Sequence, residues 1–134
     1  MAEETSVLIQ EYAKNPLCNY TMESSTSSSH EGNFICGDDI TVYLKIENSV
    51  VTDYSYSGNC STITSAAASF LSEFIIGASL DTILTWNYET MQSKWFDVSP
   101  RRKRAAVIAI MASRNAIHKY LQDGKADEFD DLLD

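Results

Sequence analysis

The sequence predicts an α+β fold, a small antiparallel sheet of about three strands with helices packed on one face. Residues 40–46 alternate apolar and polar side chains with a period of two, and a β-rich run, 50–57, follows across a short polar connection. From Ile63 onward the period lengthens to the three-and-four spacing of a buried helix. The resulting order, a helix, then strands, then helices, is that of an α+β chain and lacks the strand–helix alternation of a parallel sheet.

Each element has a local reason. Thr5 to Lys14 form a short helix that Asn15-Pro16 ends, because the residue before a proline is pushed out of the helical region. The stretch ESSTSSSH, Glu23 to His30, is polar and low in complexity and predicts a mobile loop over residues 23–32. Ile40, Val42, Leu44 and Ile46 then alternate with Thr41, Tyr43 and Lys45, giving a strand with one buried face. A second strand, Val50 to Ser57, follows across the polar ENS and makes a hairpin with the first. Ile63, Ala66, Ala67, Phe70, Leu71 and Phe74 line a core-facing helix that Gly77 closes. Ser79 caps a shorter helix through Leu84, and WNYETMQSKWFDV mixes turn with helix. Ser99-Pro100 supplies an N-cap and first helical position for the last long helix, whose stripe is Val107, Ile110, Met111, Ile117 and Leu121. The end, residues 123–134, reads as an acidic tail, either frayed or a last helical turn.

Composition narrows the function. A chain of 134 residues with 44% hydrophobic content can bury a core without staples, so residues 1–134 are expected to form one domain. Ten Lys and Arg stand against nineteen Asp and Glu, a formal charge of -9, which points away from nucleic acid and anionic membranes. The start, MAEETSVLIQEYAK, carries acids where a secretory signal carries bases, and no apolar run is long enough to span a bilayer, so a cytoplasmic location is expected. Neither a Ser-His-Asp set, a phosphate loop nor an HExxH pattern occurs, so an enzyme is not expected.

The three cysteines, Cys18, Cys36 and Cys60, are odd in number, and in a reducing compartment they are ligands, redox groups or buried small hydrophobes sooner than disulfides. Cys36 lies in CGDD at the head of the first predicted strand, where Gly37 lets the backbone turn. Cys60 lies in SGNCST at the start of the core-facing helix, where the helix dipole is expected to stabilise a thiolate. Pairing the strands as a hairpin brings the start of one beside the end of the other, so Cys36, Asp38 and Cys60 are expected to converge, a donor set suited to zinc or iron. The competing reading is that the thiols are buried and inert. Cys18 and His30 are chemically suited to be a further ligand, whereas His118 reads as a solvated helical residue. The run Arg101 to Arg104 docks an acidic partner or is a solvated turn.

Asn15-Pro16, the CGD of Cys36 to Asp38, the paired strands, SGNCSTITSAAAS from Ser57 to Ser69 and the helix after Pro100 follow the order of a known family. The chain resembles the iron-sulfur cluster assembly scaffolds (the IscU, SufU and NifU N-terminal domain type), the SufU branch above all. The resemblance implies a monomer or weak dimer in which three cysteines and the CGD aspartate bind an iron-sulfur cluster or zinc. It further implies that the site accepts sulfur from a cysteine desulfurase and serves Fe-S acceptor proteins. Carried over, it assigns Cys36, Asp38 and Cys60 to the site; Cys18 and His30 occupy no family ligand position and are expected only as chemically suited replacements for a missing metal ligand. Without gaps, however, the family's second cysteine falls on Ser61, one position after Cys60, and the third falls on Ala105. The chaperone-recognition motif resembling LPPVK is absent. The expected function is a scaffold that binds iron, zinc or an iron-sulfur cluster and accepts sulfur; the alternative is a degenerate homologue without a complete metal site that regulates cluster assembly by binding a partner.

Overall fold

The computed structural model describes residues 7–33 and 37–133. Its elements run α1 (Val7–Lys14), β1 (Ser27–Asn33), β2 (Asp38–Glu47), β3 (Val50–Ser57), α2 (Thr62–Ile75), α3 (Leu80–Ile83), α4 (Tyr88–Ser93), a 3₁₀ turn (Pro100–Arg102), α5 (Lys103–Leu121) and α6 (Phe129–Leu133). The strands form one antiparallel sheet in the order β1-β2-β3. No helix among the described residues is long and apolar enough to cross a membrane.

The hairpin predicted between β2 and β3 is present, with register Thr41↔Ser57 to Glu47↔Val50 and an irregularity between Lys45 and Ile46. Its connection is the two residues Asn48 and Ser49, both at positive φ (54° and 62°), the arrangement that matches the natural twist of paired strands. Along β2 the residues Asp38, Ile40, Val42, Leu44 and Ile46 are buried on one face, and the residues between them are half-covered. Asp38 thus enters the apolar face at its very start, and something must satisfy it.

Helices cover that face. α5 lies against β1, β2 and α2, and α1 lies on α2. Ala105 through Ser113 are all buried, so α5 is enclosed on nearly every side and not along a single stripe as its periodicity predicts. Leu121, assigned to that stripe, is 45% exposed because it ends the helix beyond the sheet. Small side chains explain the close approach: Ala105, Ala106, Ala109, Ala112 and Ala116 let α5 sit deep between sheet and α2.

Two expectations fail for the same reason. Residues 23–32 are not simply a loop, because Ser27–Asn33 pairs along β2 from Ser27↔Leu44 to Asn33↔Asp38. The strand SSSHEGN has no apolar residue to reveal it; tertiary bonds hold it, among them Ser27 Oγ donating to the Ala116 carbonyl (2.7 Å) and Lys119 Nζ to the Ser28 carbonyl (3.0 Å). His118 is buried, not solvated. Its Nδ1 lies 2.7 Å from Asp123 and its Nε2 2.9 Å from Asp127. Arg114 forks onto the same Asp127 (2.9 and 3.0 Å), and α6 buries Leu132, so the acidic end is clasped to α5.

Candidate functional site

The chemistry predicted from the sequence gathers where β2 begins and α2 begins. Asp38 is 5% exposed. One carboxylate oxygen accepts from the Ser61 backbone N–H (2.6 Å), and the other accepts from Ser61 Oγ (3.1 Å) and Thr64 Oγ1 (2.7 Å). Ser61 is the N-cap of α2, with extended backbone, and its hydroxyl accepts from the Thr64 N–H. A buried carboxylate that takes three donors at a helix N-terminus is satisfied both by hydrogen bonds and by the helix dipole. Asp38 is therefore built into the start of α2 as its cap.

The β3–α2 connection must pass close to β2 for this to happen. The Asp39 N–H donates to the Asn59 carbonyl (3.0 Å), and Gly58, at φ 131°, lies so near that a Cβ there would stand 2.5 Å from the Asp39 carbonyl oxygen. Only glycine permits that approach.

Cys60 is half-buried, and its Sγ donates to the Asp39 carbonyl at 3.5 Å. Burial, and then the carboxylates of Asp38 and Asp39, push its thiol up from 9.0 to about 11. The expected stabilisation of a thiolate by the helix end is thus reversed. The Ser61 N–H is already bound to Asp38, and two anions outweigh the dipole at this position. A neutral thiol is a poor nucleophile.

The other predicted donors lie apart from this cluster or outside the described residues. Cys36 is in the latter class. Cys18 sits at φ 61° beside β3, its carbonyl accepting from the Tyr56 N–H (2.9 Å), and burial raises its thiol. His30, on β1, is exposed and reaches Asp39 (3.4 Å), not Asp38 or Cys60. Ala105 is 1% exposed inside α5 and carries no donor. Among the described residues no three His, Cys, Asp or Glu side chains are grouped so as to hold a metal ion. Thr64 and Ser61 are the partners that sequence reasoning passes over, although a serine immediately before a helical period is a capping signal. A cavity of about 240 Å³ opens beside them, lined by Ser61, Thr62, Ile63 and Arg102. The basic run is thereby divided, since Lys103 lies over the Tyr88 ring and Arg104 over the Phe129 ring.

Comparison with known proteins agrees with this framework. The family model described as the NifU-like N terminal domain matches residues 4–127. The iron-sulfur cluster assembly scaffold protein IscU of Thermotoga maritima is 35% identical over 80 residues, which is 60% of this chain and 56% of that protein's own length. A NifU-like N-terminal protein of Brucella abortus superposes with a TM-score of 0.77 at 18% identity, covering 92% of this chain and 98% of that one. A protein from Fervidobacterium islandicum AW-1, described as an iron-sulfur cluster assembly scaffold candidate for the SUF system, gives 0.76 at 20% identity, covering 87% and 98%. At these identities the structural likeness establishes the fold, a three-stranded antiparallel sheet with helices, while the family match over residues 4–127 establishes kinship: the chain belongs to the NifU-like N-terminal domain family of iron-sulfur cluster assembly scaffolds.

Proposed function

We propose that this chain serves iron-sulfur cluster assembly as a partner-binding homologue of the scaffolds, engaging a cysteine desulfurase or another assembly protein without holding a cluster of its own. The observation that carries this reading is the closed hydrogen bonding of Asp38. Its carboxylate, the oxygen ligand that the resemblance assigns to the site, takes all three of its donors from Ser61 and Thr64. The remaining donors support the same conclusion. Ser61 and Ala105 occupy the positions where the resemblance places two of three cysteines, and Cys60, one position from the second, is half-buried with its Sγ donating to the Asp39 carbonyl. An iron-sulfur cluster needs thiolates, and zinc sites are built from thiolates, imidazoles and free carboxylates. The described residues do not fit that requirement.

The test is anaerobic co-purification of the chain with the cysteine desulfurase of its own genome, followed by iron, zinc and sulfide analysis. Far less than one metal per chain, together with desulfurase retained equally by the wild type and Cys36→Ala, is the expected result. One zinc or one cluster per chain, lost on Cys36→Ala, would overturn the reading in favour of a working scaffold. Restoring the cysteine pattern with the Ser61→Cys/Ala105→Cys double substitution is expected to create zinc binding that the wild type lacks.

A further inference from the structure

Trp95 combines two unfavourable features. Its side chain is 86% exposed and its backbone lies in the left-handed region at φ 70°. It immediately follows Lys94, the C-cap of α4, and the Trp95 and Phe96 N–H groups donate to the carbonyls of Gln92 and Met91, both at 3.0 Å. This bond pair is the common helix ending in which the left-handed residue is usually glycine, because a bulky side chain is strained there. The chain instead places its largest apolar side chain at that position and leaves it in water.

The mounting is rigid. On one flank Lys94 Nζ sits 4.6 Å over the Phe74 ring, and Phe74 meets Trp86 and Phe70 edge-on at 5.1 and 5.4 Å. On the other flank Phe96 is fully buried and stacks on Phe70 at 5.5 Å. Phe96 is thus fixed in the core and exposed Lys94 rests on the half-buried Phe74 ring, so the backbone that carries the indole is held on both sides. Charge adds a direction. Of the chain's ten Lys and Arg, five lie between Lys94 and Arg104, with Asp97 the one acid among them. Lys94 and Arg101 are exposed, and the Asp97 carboxylate accepts from Tyr88 Oη (2.9 Å) and Gln92 Nε2 (3.0 Å).

We propose that Trp95, flanked by Lys94, is the anchor through which this chain docks a partner protein presenting an apolar slot with an acidic rim. A rigid, exposed indole beside cations is the composition of an interface hot spot. A protein fits better than nucleic acid, since one short basic segment on a chain of formal charge -9 gives little purchase on a phosphate backbone. The surface is argued independently of the function proposed above; only the expectation that its partner belongs to cluster assembly rests on that reading.

The experiment places the photo-crosslinker p-benzoylphenylalanine at position 95, and separately at the exposed Leu17 as a control, in cells of the source organism, with mass-spectrometric identification of the product. The expected outcome is one partner protein captured from position 95 and not from 17. Purified, that protein is expected to bind Trp95→Gly at least thirtyfold more weakly than wild type and Lys94→Glu about tenfold more weakly, with affinity falling as salt rises. Trp95→Gly should melt no lower than wild type, because glycine suits φ 70°. Equal binding by Trp95→Gly, no product from position 95, capture of a second copy of this chain, or retention on DNA or anionic vesicles instead of a protein would each overturn the proposal. A partner outside cluster assembly would leave the docking surface standing and remove the function proposed above.

Discussion

Replacing Asp38 by alanine separates a structural aspartate from a ligand held in reserve. In the wild type the carboxylate takes donors at 2.6, 2.7 and 3.1 Å from the start of α2 while 5% exposed. A hydrogen bond to a charged group contributes roughly 1.5–3 kcal/mol when its partner is removed, so three such bonds set an upper limit of about 5–9 kcal/mol. Against this, alanine recovers the desolvation of a buried anion, and the cavity beside Ser61 admits water to the exposed donors. The net cost is about 2–4 kcal/mol, which for a chain of 134 residues lowers the melting temperature by about 8–15 °C. Asp38→Asn retains an acceptor for the Ser61 N–H and offers its amide to the hydroxyls of Ser61 and Thr64. It loses chiefly the charge–dipole attraction, about 0.5–1 kcal/mol. Far-UV circular dichroism melts and urea titrations with an unchanged m-value measure both. An Asp38→Ala protein within about 0.5 kcal/mol of wild type would show that the cap holds nothing. If Asp38→Asn were as damaging as Asp38→Ala and chelator lowered the wild-type midpoint to match, the charge would be holding metal and the reasoning would fail.

Other perturbations probe the surrounding contacts. Folding raises the Cys60 thiol from 9.0 to about 11, so the folded state holds that proton more tightly; the contribution to stability is complete below about pH 9 and disappears as pH rises through about 11. Urea midpoints of wild type and Cys60→Ala at about pH 8 and about pH 10.5 should therefore converge at the higher pH, and parallel curves would contradict the assignment. Gly58→Ala forces a Cβ to 2.5 Å from the Asp39 carbonyl oxygen, and is expected to cost about 2–4 kcal/mol and to speed iodoacetamide labelling of Cys60 at neutral pH. Arg114→Met leaves the Asp127 carboxylate with the His118 ring as its remaining side-chain partner and should cost about 2–3 kcal/mol. Its signature is accelerated tryptic cleavage after Lys125, and an unchanged cleavage rate would show that the fork does not hold the acidic segment.

The parts of this fold legible in the sequence are those where burial follows a period. Ile40 to Ile46 alternate because one face meets helices, and Ser79 caps its short helix with its own hydroxyl, whereas Gly77 follows the extended C-cap Ile76 with its N–H donating to the Val51 carbonyl of β3. β1 is invisible to the same method, since its inward residues are Ser29 and Asn33 and its hold on α5 runs through hydroxyl and ammonium groups. His118 looks solvated because a histidine on a helix is more often exposed than buried, yet its partners Asp123 and Asp127 lie beyond the helix end and fold back over it. At the candidate site, the residue types that mark metal chemistry were readable, whereas their state was not. The dipole argument for a Cys60 thiolate leaves out burial and the neighbouring carboxylates of Asp38 and Asp39, and the Ser61 N–H at the helix start is already given to Asp38.

On the function proposed above, a scaffold without metal keeps its fold by giving the buried Asp38 other partners. A carboxylate at the start of β2, facing the first turn of α2, is costly to bury unless a cation or several donors meet it. Serine at position 61 supplies both a backbone N–H and a hydroxyl to Asp38, and Thr64 supplies a third donor. On the function proposed above, the carboxylate is stabilised from within and not by a metal. Alanine at 105 fits the same reading, because a small apolar side chain suits the enclosed surroundings of α5 better than an unligated thiol would. The two positions are therefore expected to act together. Ser61→Cys alone removes a donor from Asp38 and should destabilise the metal-free chain, while zinc should recover that stability only when Ala105→Cys is also present. Melting temperatures of the two single variants and the double variant, each with and without zinc, measure this coupling, and zinc stabilising Ser61→Cys alone as strongly as the double variant would show that position 105 plays no part.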